Sequence, residues 1–133
     1  MQIALISSDS RRELLLQFCI AYKSILRDHT IFSTKLYPAE RSLSDLKIVE
    51  FPSPRQGGLQ QLAARVACDE VDLLVYFRDP SEGPAKESAE QELFRLCDRH
   101  NVPYSTNLAT AEVLIQGVKR GDFEWRNLLK AEK

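Results

Sequence analysis

No run of apolar residues in this 133-residue chain reaches the ~18 that a membrane span needs, so no membrane partner is expected. Charge of either sign is not in excess: 18 Lys and Arg stand against 19 Asp and Glu, a net charge of −1. That balance gives no global attraction to nucleic acid. Cysteine is scarce, and Cys19, Cys68 and Cys97 are far apart with no CxxC pair. This spacing argues against a disulfide framework or a zinc site. It fits reduced, buried thiols in a cytoplasmic protein. The N-terminus enters a strand pattern at once, so no signal peptide is expected. No internal repeat, linker or low-complexity segment interrupts the chain, and its length suits one domain over 1–133.

The most informative stretch is VDLLVYFRDP, from Val71 to Pro80. Leu73 to Phe77 is an unbroken apolar run ended by an acid and a proline. Such a run marks a strand covered on both faces, the central kind in a parallel sheet. Asp79 and Pro80 then lie past its carboxyl end, where open parallel sheets bind ligands.

The chain alternates strands and helices around this run. Gln2 to Ser7 reads as a strand, and Ser8, Asp9 and Ser10 are helix-capping residue types. Apolar residues at helical spacing predict a helix from Arg11 to about Leu26. Thr30 to Ser33 is a short strand, and 38–43 has a short helical pattern. Leu46 to Phe51 alternates as a third strand. Pro52 to Gly58 is turn-rich, and a helix follows over 59–68. After the central strand, a helix is expected over 86–100 with His100 at its end. A strand over 102–105, a helix over 111–120 closed by Gly121, and a last helix from Asp122 complete the pattern. The order implies a three-layer α/β domain with right-handed crossovers. The loop Ser7 to Arg12 places hydroxyls, amides and two arginines at a helix start, which attracts anions; plain capping explains the same residues.

Several segments, in this order, resemble methylglyoxal synthase: IALISSD, SPRQGGLQQ, LLVYFRDP, LFRLCDRHNVP, STNLATAEVLI and RGDFEWRNL. Together they cover nearly the whole chain. The resemblance implies a five-stranded parallel sheet of order 3-2-1-4-5 flanked by helices, and a homo-oligomer, a hexamer in most members. The family's reaction removes phosphate from dihydroxyacetone phosphate to give methylglyoxal, with no metal or organic cofactor. Its chemistry needs a carboxylate base, donors for the enediolate and a cradle for the phosphate.

Matched to that family's pattern, the chain departs from it at several places. Leu59 stands where the proposed base, an aspartate, follows two glycines. Lys86 stands at a histidine position, and Ala89 at that of a second aspartate. Ser8 replaces a further histidine. Ser8, Asp9, Arg12, Thr34, Ser53, Gly57 and Gly58 are the phosphate-binding candidates, and Asp79 is the one carboxylate available as base. Lys35, Arg55 and Lys86 are possible added anion contacts, and Arg11 and Arg78 lie beside the same loops; the other reading is that some of these side chains, Arg78 especially, point elsewhere and pair with Glu82, Glu87 or Glu90. Three readings follow. The favoured one is a catalytically impaired relative that binds a phosphorylated metabolite or nucleotide in a regulatory role. The others are an active synthase using Asp79 and a structural partner of an active paralogue.

Overall fold

The computed structural model describes residues 1–34, 43–82 and 87–131. Five parallel strands form one sheet in the order β3-β2-β1-β4-β5. They are β1 (Gln2–Ser7), β2 (Thr30–Ser33), β3 (Lys47–Glu50), β4 (Leu73–Phe77) and β5 (Tyr104–Ser105). Helices α1 (Arg12–Ala21), α2 (Lys23–Leu26), α3 (Gly58–Ala67), α4 (Glu87–Arg99), α5 (Leu108–Arg120) and α6 (Trp125–Ala131) connect and follow them. This is the strand order expected above.

The period-two alternation of a strand sorts the core into two layers. Ile3 and Leu5 of β1 join Leu73, Val75 and Phe77 of β4 on one face, against Leu15 and Phe18 of α1 and Ile115 of α5. Ala4 and Ile6 join Leu74 and Tyr76 on the other, against Leu62 and Val66 of α3 and Leu93 and Cys97 of α4. All five residues of β4 are buried, as an unbroken apolar run requires. Each such Leu, Ile or Phe buried from water contributes about 1.5–3 kcal/mol.

At the amino edge of the sheet, Asp72 accepts a hydrogen bond from the Gln2 amide at 2.8 Å. Arg126 of α6, 5% exposed, holds its Nε 3.7 Å from the Asp72 carboxylate. Its guanidinium also donates to the carbonyls of Asn101 and, at 3.4 Å, Val71. A buried cation thus fastens the C-terminal helix to the start of β4.

Element boundaries differ from the sequence pattern in instructive ways. The long first helix breaks at Tyr22, which leaves helical geometry (φ −111°, ψ 20°) before a single further turn. α5 begins three residues earlier than expected, because Asn107 caps it: the Asn107 side-chain oxygen accepts from the Thr110 amide at 3.0 Å. β5 has only two residues, since Pro103 has no N–H for the ladder. The last helix starts at Trp125, after a turn in which Gly121 adopts φ 77°. β3 is an edge strand with all four residues exposed, so its alternation reports no buried face. Cys19 and Cys97 are buried, and burial pushes both thiols up to about 12. Cys68, expected to be buried, is exposed at the end of α3. His100 sits just past α4 and shares a 2.9 Å hydrogen bond with Asp69. No helix of the described residues is long and apolar enough to cross a membrane. The short helical pattern over 38–43 lies almost wholly outside the described residues.

Candidate functional site

The carboxyl ends of β1, β2 and β4 and the loop before α3 converge on one edge of the sheet. Ser8 follows β1 and is 1% exposed. Its amide donates to the Phe77 carbonyl at 3.0 Å, extending the pairing of β1 with β4. Its hydroxyl accepts from the Asp79 amide, also at 3.0 Å. Ser8 therefore seals two strand ends together and makes no side-chain helix cap.

Asp9 lies outside that seal, exposed, in a 3-10 turn (Asp9–Arg11). Its carboxylate is 3.8 Å from Arg12 and 3.4 Å from Arg55. Two cations distant from each other in sequence, Arg12 at the start of α1 and Arg55 in the loop before α3, thus meet over one anion, and the cluster keeps a net charge of +1. Thr34, 6% exposed, follows Ser33, the last residue of β2.

The loop before α3 is shaped by its two glycines. The Ser53 carbonyl accepts from the Gln56 and Gly58 amides at 2.9 and 3.0 Å, closing a 3-10 turn over Pro54–Gln56. Gly57 takes φ 91°, a conformation side chains disfavour. A Cβ on Gly58 would lie 2.1 Å from the Pro52 carbonyl oxygen, so no side chain fits. The chain then enters α3 at once, and the first-turn amides of Leu59 and Gln60 point from a helix start, the kind of end that attracts anions. Leu59 itself is 1% exposed and packs into the core with Ile6, Phe32 and Phe51.

Asp79 is held from three sides. Its Oδ2 accepts from Ser10 Oγ at 2.6 Å, and its Oδ1 accepts from the Ser81 hydroxyl at 2.6 Å and amide at 2.9 Å. These bonds, that from Ser10 foremost, hold its carboxyl well below the usual carboxylate range, and the nearby charge of Arg11 adds to them. Arg78 turns away towards α4, where its Nε donates to Glu90 at 2.8 Å. It is committed to an ion pair rather than open to a ligand.

Ser8, Asp9, Arg12, Arg55 and Asp79 are thus joined by direct contacts among themselves or with close neighbours, and Thr34, Ser53, Gly57 and Gly58 lie at the same edge. Ala89 is half-buried on α4, packed against the α3–α4 core. Lys35 and Lys86 lie outside the described residues. Four contributors escaped the sequence reading as site residues. Ser10 and Ser81 bind Asp79. Tyr76 and Glu90, 0% and 4% exposed, stand together beneath Ser8. Burial raises the Tyr76 phenol, whose hydroxyl meets no described side chain in good hydrogen-bond geometry. An apolar strand run hides such a tyrosine, so no sequence signal marked it. Among the described residues no three His, Cys, Asp or Glu side chains group as metal ligands would.

A 3-2-1-4-5 parallel sheet flanked by helices defines a doubly wound α/β domain, and its carboxyl edge, where such sheets take ligands, here carries hydroxyls, glycine-shaped amides and arginines. The relatives narrow this. Over 134 residues the chain is 39% identical to the methylglyoxal synthase of Geobacillus sp. strain WCH70, covering 100% of this chain and 96% of the relative. The enzymes of that name from Caldicellulosiruptor saccharolyticus and Bacillus subtilis are 40% and 37% identical, over 97% and 100% of this chain and 92% and 98% of their own lengths. The crystal structure of methylglyoxal synthase from Elizabethkingia anophelis NUHP1 matches with a TM-score of 0.69 at 26% identity, covering 86% of this chain and 76% of that one. No family model matches the chain. The chain belongs to the methylglyoxal synthase family.

Proposed function

We propose that this family member binds a phosphorylated small molecule, a metabolite or nucleotide, at the Asp9–Arg12–Arg55 edge and is impaired in the family's lyase reaction. The observation that carries this reading is the state of Asp79. A general base works best with a pKa near the operating pH, and a well-placed one contributes ~10²–10⁴-fold. Asp79 has both oxygens occupied by serine donors and is held well below the ordinary carboxylate range. It is therefore a weak acceptor for a carbon-bound proton. Leu59, at the position assigned to the family's base by resemblance, contributes only core packing. The remaining hydroxyls, amides and arginines suit binding, and a bound ligand without turnover suits a regulatory role.

Turnover of dihydroxyacetone phosphate through Asp79 is the second reading. It is supported by full-length similarity to proteins named methylglyoxal synthase. Homo-oligomerisation in the cytoplasm belongs to both readings, and the exposed Trp125, Leu128 and Leu129 of α6 offer apolar surface for a second copy. Co-assembly with an active paralogue would use the same surface. Incubating the pure protein with dihydroxyacetone phosphate and assaying methylglyoxal separates the first two. Melting with and without millimolar phosphate, sugar phosphates and nucleotides tests binding, because a ligand selective for the native state raises Tm. No rise with any of them counts against the cradle.

A further inference from the structure

A cavity opens beside Arg78 and Pro80, the neighbours of Asp79. It has a volume of about 410 Å³ and lies between α1, the end of β4 and the start of α5. That size is within the range of small-molecule sites. It is separate from the cradle by strand parity. Phe77, part of its wall, belongs to the sheet face covered by α1 and α5, whereas Leu59 and Phe51 near the cradle belong to the face covered by α3.

Its lining is divided in character. Leu14, Phe77 and Leu108 supply an apolar side. Arg11, Thr106 and Asn107 supply a polar one. Arg78 also borders the cavity, but its guanidinium is paired with Glu90. The Arg11 amide donates to the Ser8 carbonyl at 2.9 Å, but its guanidinium makes no hydrogen bond or ion pair with another described residue. Asp79, whose carboxyl feels its charge, already has three serine-borne donors. Arg11 is thus a cation with unspent donors beside an apolar wall. Inorganic phosphate would use only the cation, and a hydrocarbon only the wall.

We propose that this cavity is a second binding site, for a small organic anion that carries one phosphate or carboxylate head on an apolar ring or chain. The head pairs with Arg11 and takes further donors from Thr106 and Asn107, while the body covers Leu14, Phe77 and Leu108. The site does not depend on the cradle's ligand.

Phenyl phosphate is a suitable probe, because it carries both parts. Titrated into the full chain under ¹⁵N NMR, it is expected to move the amides of Arg11, Phe77, Asn107 and Leu108. Arg11→Gln should weaken that binding by about tenfold, the scale of one charge-assisted contact. Leu108→Glu, at an exposed position, should weaken it at least as much by setting a carboxylate at the site. Both side chains are on the surface, so the spectra of the variants will report whether the fold is kept. Shifts confined to 53–60 would overturn the second site while leaving the cradle intact. So would unchanged affinity in Arg11→Gln, or no shift anywhere at millimolar probe.

Discussion

Ser10 Oγ donates to Asp79 Oδ2 across 2.6 Å, joining the loop after β1 to the loop after β4. Sixty-nine residues separate the two in sequence. The bond fixes the carboxylate of Asp79 and lowers its affinity for a proton. Whether this edge of the sheet binds or catalyses turns on that second effect.

The Asp79 carboxyl should titrate well below the ordinary aspartate value of about 3.9. ¹³C NMR of the side-chain carboxyl measures this, and Ser10→Ala should move the titration upward. The sign for stability follows from linkage. A carboxyl depressed in the folded state stabilises above its unfolded pKa, and the effect is lost as pH falls through the folded value. The stability advantage of the wild type over Asp79→Asn should therefore hold at pH 7 and shrink below about pH 4. An advantage that grows on acidification would show that the hydrogen bonds favour the neutral form.

The two glycines of the cradle should respond differently to alanine. At Gly57 nothing lies within 4 Å of an added Cβ, so only the φ of 91° resists. That strain costs about 1–2 kcal/mol. At Gly58 the Cβ would meet backbone oxygen at 2.1 Å, which cannot swing aside. Gly58→Ala should cost about 3 kcal/mol or more, as overpacking against a fixed group does. Urea unfolding of the two variants gives the order, and equal costs would contradict the geometry.

Arg78 and Glu90 form an unequal pair: the arginine side chain is 33% exposed and the carboxylate 5%. Loss of Arg78 strands a buried negative charge beside the buried Tyr76. Loss of the Glu90 charge leaves an arginine that can reach water. Arg78→Ala should thus cost about 2 kcal/mol and Glu90→Gln clearly less. Thermal or urea melts of the two variants test the inequality.

Thiol accessibility divides the three cysteines. Cys68 is exposed, while Cys19 and Cys97 are buried with their thiols pushed up to about 12. A thiol reagent at pH 8 should label one cysteine per native chain quickly and the others only after unfolding. The thiolate is the reacting species, and burial withholds it.

Much of the fold was legible because parallel strands announce themselves. Leu73 to Phe77 is apolar without a break, and it proved to be buried at every residue. The strand order came from the family resemblance rather than from the pattern. The ends of elements were harder to read. The early start of α5 depends on Asn107 folding its side chain back on Thr110, a local bond that competes with reading TNLAT as a loop. At the site, the types of residue were visible but their commitments were not. Ser8 looked like a cap or a phosphate contact, yet its hydroxyl accepts from Asp79, seventy-one residues on. For Arg78 the sequence left two readings open, a positive rim or a pair with Glu82, Glu87 or Glu90, and the structure shows the pair with Glu90. Hydrogen bonds across such separations carry no short-range signature in the chain.

The central claim is that the anion cradle stands without an effective base, and the assay of methylglyoxal formed from dihydroxyacetone phosphate tests it most directly. The account predicts formation no faster than the spontaneous reaction, unchanged in Asp79→Asn. Rapid formation by the wild type that disappears in Asp79→Asn would contradict it.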